Sequence, residues 1–154
     1  MLELYPRLWR YALSLTRHRA EAEDLAHEAV VQALAKSDQF APGTHVDRWM
    51  FRMLHRMWLN RLRAGKVRRG TGVIAVEDAG LATDQDAEQT FFGTQVLSAI
   101  LALSDAQRSA VMMVYVEGFS YAEAAEMLDV PVGTIMSRLA AARAKLKDQL
   151  GDRE

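Results

Sequence analysis

SYAEAAEMLDVPVGTIMSRLAAARAKL, residues 120 to 146, carries two helical patterns separated by Asp129, Val130 and Pro131, and its reading decides the fold. Ser120 followed three residues later by Glu123 forms a capping box, which satisfies free backbone N–H groups and predicts a helix start. Ala124, Ala125 and Leu128 supply that helix's apolar side, and its small alanines let a second helix cross closely. Pro131 lacks an N–H and would clash inside a helix, so a second helix begins beside it. On that helix Ile135, Leu139, Ala142 and Leu146 recur at helical spacing and predict a core face. Thr134, Met136, Ser137, Arg138, Ala141 and Arg143 fall on or near the outer side. This is the spacing of a helix-turn-helix, whose second helix enters the major groove of DNA. A plain helical hairpin shares that spacing, so the rest of the chain must arbitrate.

The chain has 154 residues, half of them apolar, enough for one or two small domains each with a core. The absence of cysteine excludes a disulfide scaffold and any thiolate metal or redox centre, and suits a reducing compartment. The stretch MLELYPRLWRYALSL is interrupted by Glu3, Arg7 and Arg10 and has no cleavage-site pattern. No span of about 20 apolar residues occurs either. The expectation is a cytoplasmic protein without membrane insertion.

A net charge of -1 looks wrong for a nucleic-acid binder, whose phosphate contacts need excess lysine and arginine. The distribution of charge removes the difficulty. Between Asp47 and Gly70 stand Arg48, Arg52, Arg56, Arg61, Arg63, Lys66, Arg68 and Arg69 against the single acid Asp47, whereas Thr71 to Gln107 contains acids and no lysine or arginine. Such segregation predicts a basic face beside acidic segments.

Helical periodicity runs through most of the chain, with almost no strand-like alternation. Leu2 to Arg17 and Glu21 to Lys36 are predicted as the first two helices, the second with Glu21, Glu23 and Asp24 in its dipole-favoured first turn. Phe40 to Thr44 reads as a turn and Val46 to about Arg63 as a third helix. From about Gly65 to Thr90 the periodicity is lost and Gly, Ala, Thr and Asp accumulate, the mark of a linker. Val73 to Val76 is the one short apolar run there that a strand or packed patch could use. Helical pattern resumes over Phe92 to Leu103 and then Asp105 to Val116, after a second capping signal at Ser104 and Gln107. The expectation is an all-α protein of two small helical domains, 1–69 and 91–154, joined by a flexible linker over 70–90.

At 100° per residue, Val46, Trp49, Met50, Met53, Leu54 and Met57 gather on one side of the third helix, while Arg48, Arg52, His55, Arg56 and Arg63 form a stripe on another. Phe51, Trp58 and Leu62 lie on a third side, so the helix is expected to be packed on two sides. Arginines track phosphates, and neighbouring aromatics can stack on unpaired bases. Trp49 borders the methionine stripe and reads as core before it reads as a stacking ring.

Taken together, these residues resemble the extracytoplasmic-function sigma factors, two-domain specificity subunits of bacterial RNA polymerase. AEAEDLAHEAVVQAL (Ala20 to Leu34) is similar to the family's region 2.2, FAPGTHVDRWMFRMLHRMWLNRLR (Phe40 to Arg63) to regions 2.3 and 2.4, and Leu103 to Leu146 to regions 4.1 and 4.2. The resemblance implies that Asp24, Leu25, Glu28 and Gln32 dock on the polymerase beta-prime coiled coil and that the second domain meets the beta flap. It implies that Arg48, Arg52, Arg56, Asn60, Arg61 and Arg63, with Trp49 and Trp58 as structural or stacking aromatics, open and read the promoter minus-10 element. Thr134, Ser137, Arg138 and Arg143 would read the minus-35 element, and an anti-sigma factor would hold the protein inactive. The chain departs from the family at Met136, Ala140 and Ala141, where bulkier or basic residues are common, so its minus-35 contact should be weak or of unusual preference.

No nucleophile and base are paired in the sequence, and His18, His27, His45 and His55 are scattered without metal-ligand spacing. No enzyme activity, cofactor or metal is therefore expected. Two other readings remain: a sigma-like decoy that sequesters an anti-sigma factor without binding DNA, and a freestanding dimeric repressor or activator.

Overall fold

The computed structural model describes residues 2–40, 43, 45–65 and 87–151. Among these every regular element is a helix. A 3-10 turn (Leu2–Leu4) leads into α1 (Tyr5–Thr16), followed by α2 (Arg19–Ala35), a second 3-10 turn (Ser37–Gln39) and α3 (Val46–Arg63). Then come α4 (Ala87–Leu101), α5 (Asp105–Val111), a π-helical turn (Met112–Val116), α6 (Tyr121–Leu128) and α7 (Val132–Leu150). Two small helical domains result, α1 to α3 and α4 to α7.

In the first domain, α1 ends where Arg17 turns left-handed (φ 59°) and returns its N–H to the Leu13 carbonyl. Four fully buried alanines of α2, Ala22, Ala26, Ala29 and Ala33, let α1 and α3 approach closely around Leu8, Tyr11, Leu25, Met50 and Leu54.

Both predicted capping boxes are present. Ser104 accepts from Gln107 N–H and Ser120 from Glu123 N–H, while each N3 side chain reaches back to the cap N–H. Asp129 adopts the left-handed conformation that stops α6, and Pro131 occupies the cap position just before α7. Ile135, Leu139 and Ala142 are fully buried and Leu146 is half-buried, as the spacing predicted.

Two departures from the expected helices stand out. α4 starts at Ala87, inside the stretch read as linker, because Ala87, Glu88 and Gln89 have high helix propensity and continue into the apolar run that follows. The helix expected over Asp105 to Val116 widens into a π turn after Val111, with Glu117 N–H bonding back to the Met112 carbonyl at 2.8 Å. Gly118 (φ 82°) then reverses the chain. The Val73 to Val76 run lies outside the described residues.

The two domains share one continuous apolar cluster. α3 packs on α6 and α1 on α5, and Phe51 meets Phe119 edge to face with centroids 5.5 Å apart.

Candidate nucleic-acid and polymerase interface

The predicted arginine stripe on α3 is broken by packing. Arg56 is exposed and makes no ion pair among the described residues, and Arg63 Nη1 donates to Asn60 Oδ1 at 2.9 Å, ordering the exposed end of the helix. Arg48 reaches across to Glu123 of α6 at 3.5 Å. Arg52 is half-buried, and its Nε is enclosed without a hydrogen-bond partner. His55, assigned to the stripe by periodicity, is buried with Nδ1 2.9 Å from the Tyr11 hydroxyl, because α1 covers that side. Desolvation, and then the positive charge of Arg138, lower its pKa to about 4.

The two tryptophans separate. Trp49 is half-buried and tilts against Phe40 at 5.2 Å, on the wall of an open cavity of about 580 Å³ that Arg48, Arg52, His45 and Glu126 also line. Trp58 is 3% exposed and belongs to the core, so the stacking alternative is corrected for it. Of the methionine side, Met50, Leu54 and Met57 are buried, whereas Val46 at the helix start is exposed. The helix is packed on two sides, by α1 and α2 on one and by α6 on the other.

Asp24, Glu28 and Gln32 line an open groove of about 730 Å³ between α2 and α3 with Asn60 and Arg61. Arg61 Nη2 lies 2.8 Å from Asp24 and 2.5 Å from Glu28. Burial opposes its charge, but the two carboxylates outweigh burial and raise its pKa. A residue assigned to DNA is thereby joined to two assigned to polymerase. Leu25, grouped with them by the family resemblance, is fully buried in the α1–α3 core and is corrected out of that face.

On α7, Ser137 is exposed and its hydroxyl donates to the Thr134 carbonyl at 3.1 Å, while Arg143 Nη1 donates to the Tyr115 hydroxyl at 2.8 Å. Thr134 and Arg138 are half-buried, and Arg138 lies close enough to α3 to act on His55. Over residues 132–141 the outward surface is made mostly of Val132, Met136, Ala140 and Ala141, with Ser137 the one exposed hydroxyl among them. It offers methyl groups and few bidentate donors to base edges.

Sequence reasoning missed the residues that join the domains, Arg7, Arg10, Arg108 and Glu117. No periodicity or local motif links positions about a hundred residues apart. Among the described residues no group of three or more histidines or carboxylates could hold a metal ion, and no helix is long and apolar enough to cross a membrane.

Residues 1–68 match the family model for Sigma-70 region 2, and residues 94–146 match that for Sigma-70, region 4. The chain is 34% identical over 148 residues to the ECF RNA polymerase sigma factor EcfG of Rhodopseudomonas palustris (strain TIE-1), covering 95% of this chain and 80% of that one. It is 33% identical over 145 residues to the ECF RNA polymerase sigma factor SigM of Mycobacterium tuberculosis (strain H37Rv), covering 94% and 72%. Among solved structures it is similar to the sigma factor RpoE in complex with the anti-sigma factor NepR from Bartonella quintana. That match has a TM-score of 0.78 at 28% identity, over 99% of this chain and 95% of the other. With both regions in order along one chain, and relatives of this identity and coverage, the chain belongs to the extracytoplasmic-function family of RNA polymerase sigma factors.

Proposed function

We propose that this sigma factor binds core RNA polymerase in the cytoplasm and directs it to promoters whose minus-10 element is read by the first domain and minus-35 element by the second. The observation that carries this reading is the pairing of a region 2 and a region 4 match, in order, over nearly the whole chain. The domains are assigned to 1–69 and 91–154, with the connection between them. Asp24, Glu28 and Gln32 present an acidic groove to the beta-prime coiled coil, with Arg61 bracing the two carboxylates rather than reaching DNA. Arg48, Arg52, Arg56, Asn60, Arg63 and Trp49 hold the opened minus-10 strand, because their cations sit beside an aromatic ring on one helix. Thr134, Ser137 and Arg143 meet the minus-35 element, where the sparse donors of α7 make the contact weak. Arg138 joins them once it leaves α3. The protein acts by binding and not as an enzyme, and an anti-sigma factor restrains it, as NepR is paired with the Bartonella relative.

In vitro transcription with purified bacterial core polymerase and a randomised promoter library tests this. Mapped starts should align on a two-part upstream motif. Absence of any promoter-specific transcript, with anti-sigma binding retained, would establish the decoy reading instead.

A further inference from the structure

We infer that α7 reads its promoter element through the C5-methyl groups of thymines, with Val132 and Met136 as the reading side chains, so that the minus-35 element of this sigma factor is specified by A·T pairs and not by guanines. The inference deepens the two-element reading above and rests on it.

The turns of α7 that reach bases carry no bidentate base reader. A recognition helix touches base edges with its N-terminal residues, which here run from Val132 to about Ala141. Over that stretch no Lys, Asn, Gln, Asp or Glu occurs. Discrimination in the major groove ordinarily comes from arginine or lysine on guanine and from asparagine or glutamine on adenine. Arg138 is the one cation there, and it stands about 200° around the helix from Met136 at about 100° per residue. It therefore serves a groove edge and its phosphates, not the base pairs beneath Met136. Arg143 lies about 16 Å along the axis from Val132, with Nη1 held by the Tyr115 hydroxyl at 2.8 Å. The Ser137 hydroxyl donates inside its own helix, to the Thr134 carbonyl at 3.1 Å.

What these turns offer instead is apolar. Met136 is 52% exposed and Val132 41%, and Ala140 and Ala141 follow on the outward side. Their sequence neighbours Ile135, Leu139 and Ala142 are fully buried, so the exposure belongs to one face and not to a loosely packed helix. The apolar group that a base pair presents in the major groove is the thymine C5-methyl. An apolar side chain held against it gains methyl burial, worth about fourfold in affinity for each methyl. Held against a G·C pair, the same side chain strips water from the cytosine amino group and the guanine acceptors and returns no hydrogen bond. One surface thus favours A·T and penalises G·C.

The spacing fits this role. Val132 and Met136 are four residues apart, about 6 Å along the axis, against about 3.4 Å per base pair, so they meet positions about two pairs apart. Met136 is unbranched, with a polarisable sulfur, and can follow a methyl on either strand. Ala140 and Ala141 put no long side chain between the next turn and the groove floor.

The test uses the holoenzyme, the full chain on purified bacterial core polymerase, and the promoters recovered from a randomised library. Their minus-35 motif should hold thymine, on either strand, at two or more positions. Each such thymine is then replaced by deoxyuridine, which lacks only the C5-methyl. Holoenzyme affinity in competition binding should fall about fourfold for each methyl read by Val132 or Met136. With Met136→Ala, one of these uridine effects should vanish while the other persists, which separates contact with the side chain from any effect of uracil on the DNA itself. Met136→Arg should replace a thymine of the recovered motif by guanine, because a bidentate donor then faces it. Met136 is exposed, so neither change touches the core, and circular dichroism checks this. A guanine-led motif from the unaltered chain, or an affinity indifferent to uridine, overturns the inference and leaves the promoter reading standing. So does a loss from Met136→Ala that is equal on every thymine and uridine template. Absence of any promoter-specific transcript overturns the promoter reading, and this inference with it.

Discussion

Mild acid should destabilise the fold through His55. Its ring is 9% exposed on α3, beside Tyr11 of α1, whose hydroxyl lies 2.9 Å from Nδ1, and under the positive field of Arg138 of α7. Tyr11 cannot supply a compensating anion, since burial raises its pKa well beyond the ordinary phenol range. Burial, followed by the Arg138 charge, takes the histidine from 6.5 to about 4. The unfolded chain therefore gains a proton near pH 6.5 that the folded chain refuses until about pH 4. Across that window the unfolded state binds more protons, so stability falls as pH falls; it is complete above about 6.5 and the loss ends below about 4. At about 1.4 kcal/mol per unit, the whole loss is about 3 kcal/mol, with about 2 kcal/mol gone by pH 5. That is a sizeable share of a typical folding free energy of about 5–15 kcal/mol. Urea unfolding followed by far-UV circular dichroism, from pH 7.5 to 5.0, measures it. His55→Gln, which fills similar space and cannot ionise, should lose about 2 kcal/mol less than the unaltered chain over this range. Parallel pH dependences in the two proteins would refute the argument.

Two further predictions bear on the helix-turn-helix and on the division of binding faces. Ser120→Ala removes the hydroxyl that accepts Glu123 N–H at 3.0 Å, and should cost about 1 kcal/mol and lower the melting temperature by about 2–4 °C, read by calorimetry. Arg52→Ala with Arg56→Ala should impair promoter opening, spare core binding and flatten the salt dependence of DNA binding by roughly one to two units of log–log slope. Asp24→Asn with Glu28→Gln should weaken core binding and leave promoter contacts of the assembled holoenzyme intact; identical defects from both pairs, in competition binding and permanganate footprinting, would mean that the faces are misassigned.

Much of the architecture was legible because its signals are local. Ser120 with Glu123, Ser104 with Gln107, and Pro131 act within one helical turn, so residue spacing suffices to predict them. The buried face of α7 at Ile135, Leu139 and Ala142 follows from period alone. Periodicity was less reliable where a helix has neighbours on more than one side. It grouped His55 with Arg52 and Arg56, and it agreed with the resemblance that set Leu25 beside Asp24 and Glu28, yet both His55 and Leu25 are buried. A hydrophobic wheel records which side a residue occupies and not whether another element covers it. Arg61 shows the complementary gap: a single helix wheel does not reveal that this basic residue pairs with carboxylates on a neighbouring helix. The π turn after Val111 left no trace in the residue pattern, since an i to i+5 bond still keeps Met112 and Met113 apolar and inward.

By itself the sequence determined the all-helical class, the capped helix-turn-helix and the family resemblance, since each depends on residues close together in the chain. Only the tertiary structure decided which charges are free and which are spent on one another. Arg7 and Arg10 enclose Glu117, and Arg108 caps Ser14, across separations of about a hundred residues. Such contacts arise from how two apolar faces settle together, with Phe51 against Phe119, and the positions of charges at their edges follow from that packing.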